Sequence, residues 1–105
     1  PLVFTDRSPG VAEALAGALR VEGLKVDLIQ LPAAEESARN LYSLLRDLDV
    51  DSEDDGRADV AVVAALDPAG LGRAVNDRLF RAAHAHIDRD ASRSTVERIL
   101  DRVQV

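Results

Sequence analysis

Three short, largely apolar runs separated by longer amphipathic segments limit what this chain can fold into. The runs occupy residues 2–4, 26–31 and 60–66. Alternation of this kind predicts a βαβ succession, in which helical crossovers join parallel strands. The third run has no polar residue, which is typical of a strand covered on both faces.

Amphipathic helices are predicted between and after these runs. The first helix follows Ser8 and Pro9, which suit the N-cap and the first helical position, and it ends at Gly23. The periodicity of apolar residues predicts a second helix over residues 35–48 and a third that includes residues 75–87.

A capping box at residues 94–97 predicts a fourth helix. The order β-α-β-α-β-α-α then predicts an α/β fold, a small three-layer Rossmann-like domain with a parallel sheet of about three strands and about four helices. The expected strand order is 2-1-3, as in the first half of a doubly wound sheet. We expect residues 1–105 to form one domain, excised from a larger chain because the sequence starts at Pro1.

Composition and charge argue against several classes of partner. The formal net charge is −6 and aromatic residues make up only 3% of the chain, so no nucleic-acid partner is expected. No basic amphipathic helix favours a membrane, and the longest apolar run is far shorter than the roughly 20 residues that span a bilayer. The chain has no cysteine, which is compatible with a reducing compartment. We therefore expect a cytoplasmic protein, and the Ala- and Arg-rich composition suggests a bacterial source.

The loop after the first strand, residues 5–10, lies where dinucleotide-binding folds hold a pyrophosphate. That role needs glycines at G-x-G-x-x-G spacing, because the backbone must approach the phosphates. Only Gly10 is present, and Asp6 would repel an anionic ligand. The Tyr-x-x-x-Lys pair of short-chain reductases is excluded as well, because the single Lys25 precedes the single Tyr42. We expect a structural turn and no cofactor.

Two carboxylates leave a different kind of site open. Asp6 follows the first strand and Asp67 the third, roughly where receiver domains hold Mg²⁺ and accept a phosphoryl group. One carboxylate after the first strand is fewer than a Mg²⁺ site prefers, and Lys25 comes too early to contact a phosphate. A stand-alone flavodoxin- or receiver-like module that binds a phosphoryl group or small molecule through Asp6 and Asp67 is the alternative function.

The other candidate metal ligands lack a suitable arrangement. Residues 51–56 resemble the start of a calcium loop, but Val62 stands where the bidentate Glu is needed, so this acidic stretch is interpreted as a solvated loop. His84 and His86 are predicted on opposite sides of a helix, whereas His84 and Asp88 share a side but provide only two ligands. The sequence therefore predicts no catalytic, cofactor-binding or metal-binding residue.

Residues 2–6, 10–19 and 23–28 resemble the opening of the ketoreductase region of iterative type I polyketide and polyunsaturated fatty acid synthases. Residues 59–67 resemble the third strand of the same region, which usually ends in Leu-Asp there as it does here. In that family the first of two Rossmann-like halves is structural and binds no cofactor, and the second carries NADPH and the catalytic Ser, Tyr and Lys. The resemblance implies that this chain is the structural half and that its partner is the catalytic ketoreductase half.

The preferred hypothesis is therefore a non-catalytic structural subdomain of a polyketide or fatty acid synthase, which is not an enzyme on its own. Its sheet would be packed by Val60, Val62, Val63 and Leu66. The last helix would present an apolar face to the catalytic half, or to a second copy in a homodimer, through Val96, Ile99, Leu100 and Val103. The chain departs from that family after Ala85, where another strand is normally found.

Overall fold

A computed structural model describes residues 2–8, 10–31, 33–49 and 59–104. These residues form an α/β fold with a three-stranded parallel sheet and four helices, so the predicted fold class is confirmed. In chain order the elements are β1 (Leu2–Thr5), α1 (Val11–Val21), β2 (Val26–Ile29), α2 (Ala34–Asp49), β3 (Val60–Ala64), α3 (Leu71–Ala82) and α4 (Arg93–Gln104). Within these ranges, no helix is long and apolar enough to cross a membrane. The calcium-like stretch at residues 51–56 lies outside the described residues.

The strands lie in the order β1-β3-β2, so the predicted order 2-1-3 is wrong. The central strand, β3, pairs in parallel with both neighbours, and Val62 lies opposite Val3 of β1 and Leu28 of β2. The side chains explain this order. The first four residues of β3 are buried, as a central strand requires, whereas β2 carries the exposed Asp27, which an edge strand tolerates.

Helices cover both faces of the sheet, which gives three layers. On one face α1 and α4 pack against the sheet, and the fully buried residues there include Val3, Leu15, Leu19, Val62 and Ile99. On the other face α2 and α3 bury Phe4, Leu41, Val63, Val75 and Leu79. The predicted packing role of Val60, Val62 and Val63 is confirmed, and Leu66 packs partly buried beyond the end of β3.

Glycines with positive φ angles set both ends of α1. Gly10 precedes the helix with a φ of 78°, a conformation that glycine adopts without a Cβ clash. The helix therefore begins later than the predicted N-cap Ser8, and Pro9 lies outside the described residues. Gly23 has a φ of 92° just after α1, so the predicted helix end is confirmed.

The start of α4 lies before the predicted capping box, at Arg93. The Ser92 hydroxyl caps the helix by accepting a hydrogen bond from the Thr95 amide at 3.4 Å. Asp90 Oδ1 accepts hydrogen bonds from the Thr95 hydroxyl at 2.6 Å and from the Ser92 amide at 3.0 Å. These hydrogen bonds, that from Thr95 foremost, lower the pKa of Asp90 to about 2. An ion pair with Glu22 after α1 raises the pKa of Arg93 and ties the two helices together.

The apolar side of α4 faces the core. Val96 and Ile99 are 2% and 1% exposed and belong to the cluster that α1 forms with the sheet. Leu100 and Val103 pack against the same cluster and are partly buried. The prediction that this face docks on a synthase partner or on a second copy is therefore wrong, because the domain uses the face to close its own core.

Candidate functional site

The loops that follow β1 and β3 diverge at one edge of the sheet. The helix after β1 packs on one face, and the helix after the neighbouring β3 packs on the other. In open α/β sheets this divergence, the topological switch point, is where ligands bind, beyond the carboxyl ends of the strands. We call residues 5–8 together with Gly10 the first switch-point loop, and residues 65–70 the second.

Local hydrogen bonds shape the first switch-point loop. Asp6 Oδ1 accepts a hydrogen bond from the Ser8 amide at 2.9 Å, which closes an Asx turn. Thr5 is fully buried at the end of β1, and its hydroxyl lies 3.3 Å from the Asp6 carbonyl oxygen and 3.5 Å from that of Val63. The carboxylate that the sequence interpretation assigned to a phosphoryl site therefore serves its own turn.

One ion pair joins the two switch-point loops. Arg7 Nη2 lies 3.6 Å from Asp67 Oδ2, and these side chains are 62% and 65% exposed. Water screens a pair this exposed, so it contributes at most about 1 kcal/mol and leaves both groups accessible. Asp67 is thus engaged with Arg7, while Asp6 bonds within its own turn. Among the described residues, no group of three or more His, Asp or Glu side chains could hold a metal ion.

Two residues of α3 fix the second switch-point loop. Asn76 Oδ1 accepts a hydrogen bond from the Leu66 amide, and Asn76 Nδ2 donates one to the Leu66 carbonyl, each at 2.8 Å. Gly72 lies so close to the loop that a Cβ there would stand 2.0 Å from the Asp67 carbonyl oxygen. Sequence reasoning missed both residues, although a glycine early in a helical pattern is a signal of close packing.

The chain leaves α3 before the two histidines, so the predicted helix through residue 87 is wrong. The amide of Ala85 donates to the Phe80 carbonyl and that of His84 to the Arg81 carbonyl, a Schellman motif that ends the helix. His84 and Ala85 have φ angles of 60° and 59°. After this turn His86 Nε2 lies 3.1 Å from Asp88 Oδ1, whereas the predicted helix places His84, and not His86, on the same side as Asp88.

An open groove of about 660 Å³ adjoins the second switch-point loop and reaches its last residue, Gly70. Arg73 and Asp77 are exposed along the groove. Its apolar part is formed by Phe4, Phe80 and Ile87. The groove and the loops together make this edge of the sheet the candidate functional surface.

A family profile matches residues 6–84, which is more than half of the chain, and the family is described as the C-terminal domain of threonylcarbamoyl-AMP synthase. The chain belongs to this family. The matched residues contain Gly72, Asn76 and the second switch-point loop, and they end at His84, where the chain turns away from α3. Comparisons with curated proteins and with solved structures gave no match.

Membership of the threonylcarbamoyl-AMP synthase C-terminal family corrects several expectations. The resemblance to a polyketide or fatty acid synthase ketoreductase region is wrong, and so is a catalytic ketoreductase half as the partner. The pattern behind it, small and apolar residues in βα succession, serves the packing of helices on any parallel sheet. The flavodoxin- or receiver-like alternative through Asp6 and Asp67 does not fit either. The prediction that the chain is not an enzyme is corrected to the C-terminal domain of an enzyme family.

Proposed function

We propose that this chain acts as the C-terminal domain of a threonylcarbamoyl-AMP synthase and supports the formation of threonylcarbamoyl-AMP by positioning the catalytic part of that enzyme. The family match over residues 6–84 carries the proposal. By its name, the product joins threonine through a carbamoyl carbon to an adenylate, so several reacting groups must be held in one geometry. A rigid neighbouring domain contributes to such positioning.

We assign the contact with the catalytic part to the switch-point loops. Asn76 and Gly72 fix the second loop and the Asp6 turn fixes the first, so this surface is preorganised. Arg7 and Asp67 can exchange their ion pair for partners on the catalytic part at little cost, because the pair is more than half exposed.

Three further expectations belong to this proposal. Residues 1–105 act as one domain, which is supported by the two core clusters that share β3. A net charge of −6 favours protein over nucleic acid as the direct partner of this domain. A cytoplasmic location, expected from the absence of cysteine, is kept as part of the proposal.

The test uses mass spectrometry to measure the rate at which the synthase forms threonylcarbamoyl-AMP. Removal of this domain should lower the rate. The double change Arg7→Ala and Asp67→Ala should lower it about tenfold, which corresponds to about 1.4 kcal/mol of lost transition-state stabilisation.

Glu97→Ala is the matched control, because it removes another exposed ion pair, Arg93–Glu97 at 3.3 Å, away from the switch-point loops. It should leave the rate unchanged. An unchanged rate after removal of the whole domain would overturn the supporting role. If removal of the domain lowers the rate but the double change does not, the contact with the catalytic part lies on another surface of this domain.

A further inference from the structure

The segment that follows α3 fixes the point at which β1 enters the first switch-point loop. Asp88 pairs in parallel with Thr5 at the outer edge of β1. The Asp88 amide donates a hydrogen bond to the Phe4 carbonyl at 2.9 Å, and the Asp6 amide donates one to the Asp88 carbonyl at 3.1 Å. The backbone of Asp88 thus bonds on both sides of the last residue of β1. It lies beyond residue 84, where the family match ends.

The side chain of Asp88 ties this backbone to α4. Its carboxylate is 1% exposed, and its Oδ1 lies 2.9 Å from Arg98 Nη2 and 3.1 Å from His86 Nε2. Its Oδ2 is buried and has no hydrogen-bond partner within the described part of the chain. A buried carboxylate is costly unless a cation compensates it, and removal of one partner of a buried ion pair is strongly destabilising. Because arginine remains charged throughout the working range of proteins, Arg98 supplies this compensation.

Arg7 depends on this anchor because of its place in the loop. Asp6 Oδ1 accepts a hydrogen bond from the Ser8 amide at 2.9 Å, so Arg7 stands within a turn that its two neighbours close. That local bond sets the shape of the turn but not its place relative to the sheet. The bond from the Asp6 amide to the Asp88 carbonyl joins the turn to the sheet edge. A shift of Asp88 would therefore move Arg7, whose guanidinium lies 3.6 Å from Asp67.

We propose that Arg98 is a positioning residue of the synthase: through the Asp88 carboxylate it holds Arg7 in the place from which Arg7 contacts the catalytic part. Its role in catalysis rests on the proposed function, in which the switch-point loops make that contact. The path runs from α4 to the edge of β1 and then into the loop, one contact at a time. Coupling between the two ends of such a path is measured directly by combining changes at both ends.

Hydrogen exchange of this chain measures the first part of the path. Arg98→Ala should let the Asp88 carboxylate turn toward water, which weakens the bond between the Asp88 carbonyl and the Asp6 amide. The Asp6 amide should then exchange about fivefold faster relative to the Val62 amide at the centre of the sheet, which is the protection that one hydrogen bond of ordinary net strength supplies.

Two gentler variants show whether the charge of Arg98 is responsible. Arg98→Lys should restore most of the protection, because the contact with Asp88 uses one guanidinium nitrogen and an ammonium can replace it. Arg98→Gln keeps a donor without the charge and should give an intermediate effect. It takes the place of Arg98→Ala if that variant does not fold.

Arg93→Ala is the matched control. Arg93 lies on the same helix and is also at least half exposed, but it forms its ion pairs with Glu22 and Glu97. The control should leave the exchange of the Asp6 amide unchanged relative to that of Val62. No change in Arg98→Ala, or an equal change in the control, would refute the positioning role.

A double-mutant cycle in the synthase measures the second part of the path. Arg98→Ala should lower the rate of threonylcarbamoyl-AMP formation about threefold, near the lower end of the coupling between residues of one network. Arg98→Lys should keep most of the rate. In an Arg7→Ala background, Arg98→Ala should have no further effect, since the side chain that Arg98 positions is already gone. A threefold loss in both backgrounds would mean that Arg98 acts by another route, and the proposal would be wrong.

The two measurements also separate the role of Arg98 from the proposed function. If Arg7→Ala alone leaves the rate unchanged, the contact assigned to the loops is wrong, and the exchange data still decide whether Arg98 holds the loop. If Arg7→Ala lowers the rate and Arg98→Ala does not, the contact stands and the positioning role of Arg98 is refuted.

Discussion

Replacing Gly72 by alanine tests how closely α3 packs on the second switch-point loop. The added Cβ would lie 2.0 Å from the carbonyl oxygen of Asp67 and 3.2 Å from its carbonyl carbon. For comparison, the carbon–oxygen distance is about 3.3–3.6 Å even in the close contacts in which a Cα–H group donates to a carbonyl oxygen. The loop or the helix must therefore move by more than about 1 Å to admit the methyl group.

Neither side of this contact moves freely. Val75 and Leu79 anchor α3 in the core, and the two hydrogen bonds of Asn76 hold the loop. Overpacking costs about 1–3 kcal/mol, and the loss of one of these hydrogen bonds adds about 1 kcal/mol. Alanine has a higher helix propensity than glycine, which offsets at most about 1 kcal/mol of this loss. We therefore expect the free energy of unfolding to fall by about 2 kcal/mol.

Urea unfolding followed by far-ultraviolet circular dichroism measures this loss. With a typical urea dependence, a loss of 2 kcal/mol lowers the midpoint by about 1 M. Gly17→Ala is the control, since Gly17 lies within α1 and no heavy atom stands within 4 Å of its added Cβ. That control should gain about 0.5–1 kcal/mol. If Gly72→Ala were as stable as wild type while the control gained stability, the close contact and the reasoning built on it would be refuted.

Two further predictions concern α4. Ile99→Ala should lower the free energy of unfolding by about 2–5 kcal/mol because Ile99 is 1% exposed, whereas Leu71→Ala, at a side chain 50% exposed, should have little effect. Equal stabilities of these two variants in urea would contradict the core role of α4. The lowered pKa of Asp90, about 2, means that its ionised form stabilises the folded state above about pH 4, and that this contribution is lost as the pH falls toward 2. Asp90→Asn should therefore be less stable than wild type at pH 7, and the difference should shrink below pH 4; a difference independent of pH would contradict the assignment.

The sequence was most informative where side chains repeat with a period. Helices and strands were found in the right order because apolar residues recur at helical spacing or form unbroken runs. The predicted strand order was wrong, although the side chains of the strands indicate the correct order. An unbroken apolar run at residues 60–66 belongs in the middle of a sheet, and Asp27 belongs in an edge strand. The order 2-1-3 follows from the analogy with a doubly wound sheet, which takes no account of these side chains.

The candidate site was much harder to predict. The second switch-point loop is held by the two hydrogen bonds of Asn76 to the Leu66 backbone and by the close approach of Gly72 to Asp67, and these contacts depend on tertiary packing. The contact of His86 with Asp88 was missed because Ile87 fits the helical period of α3, and the turn that ends α3 at His84 contains no glycine, the usual signal of a Schellman motif. Family membership was missed because small apolar residues in βα succession are shared by unrelated proteins.

The pairing of the first strand has a consequence for how the polypeptide matures. The strand Leu2–Thr5 pairs with Ala61–Ala64, which lie more than half of the chain later in the sequence. Asp88, which pairs with Thr5 at the outer edge of β1, follows later still. A ribosome thus releases an apolar segment long before β3 has been translated, and long loops must close before that segment is ordered. The beginning of the domain is consequently among the last parts to reach its final place.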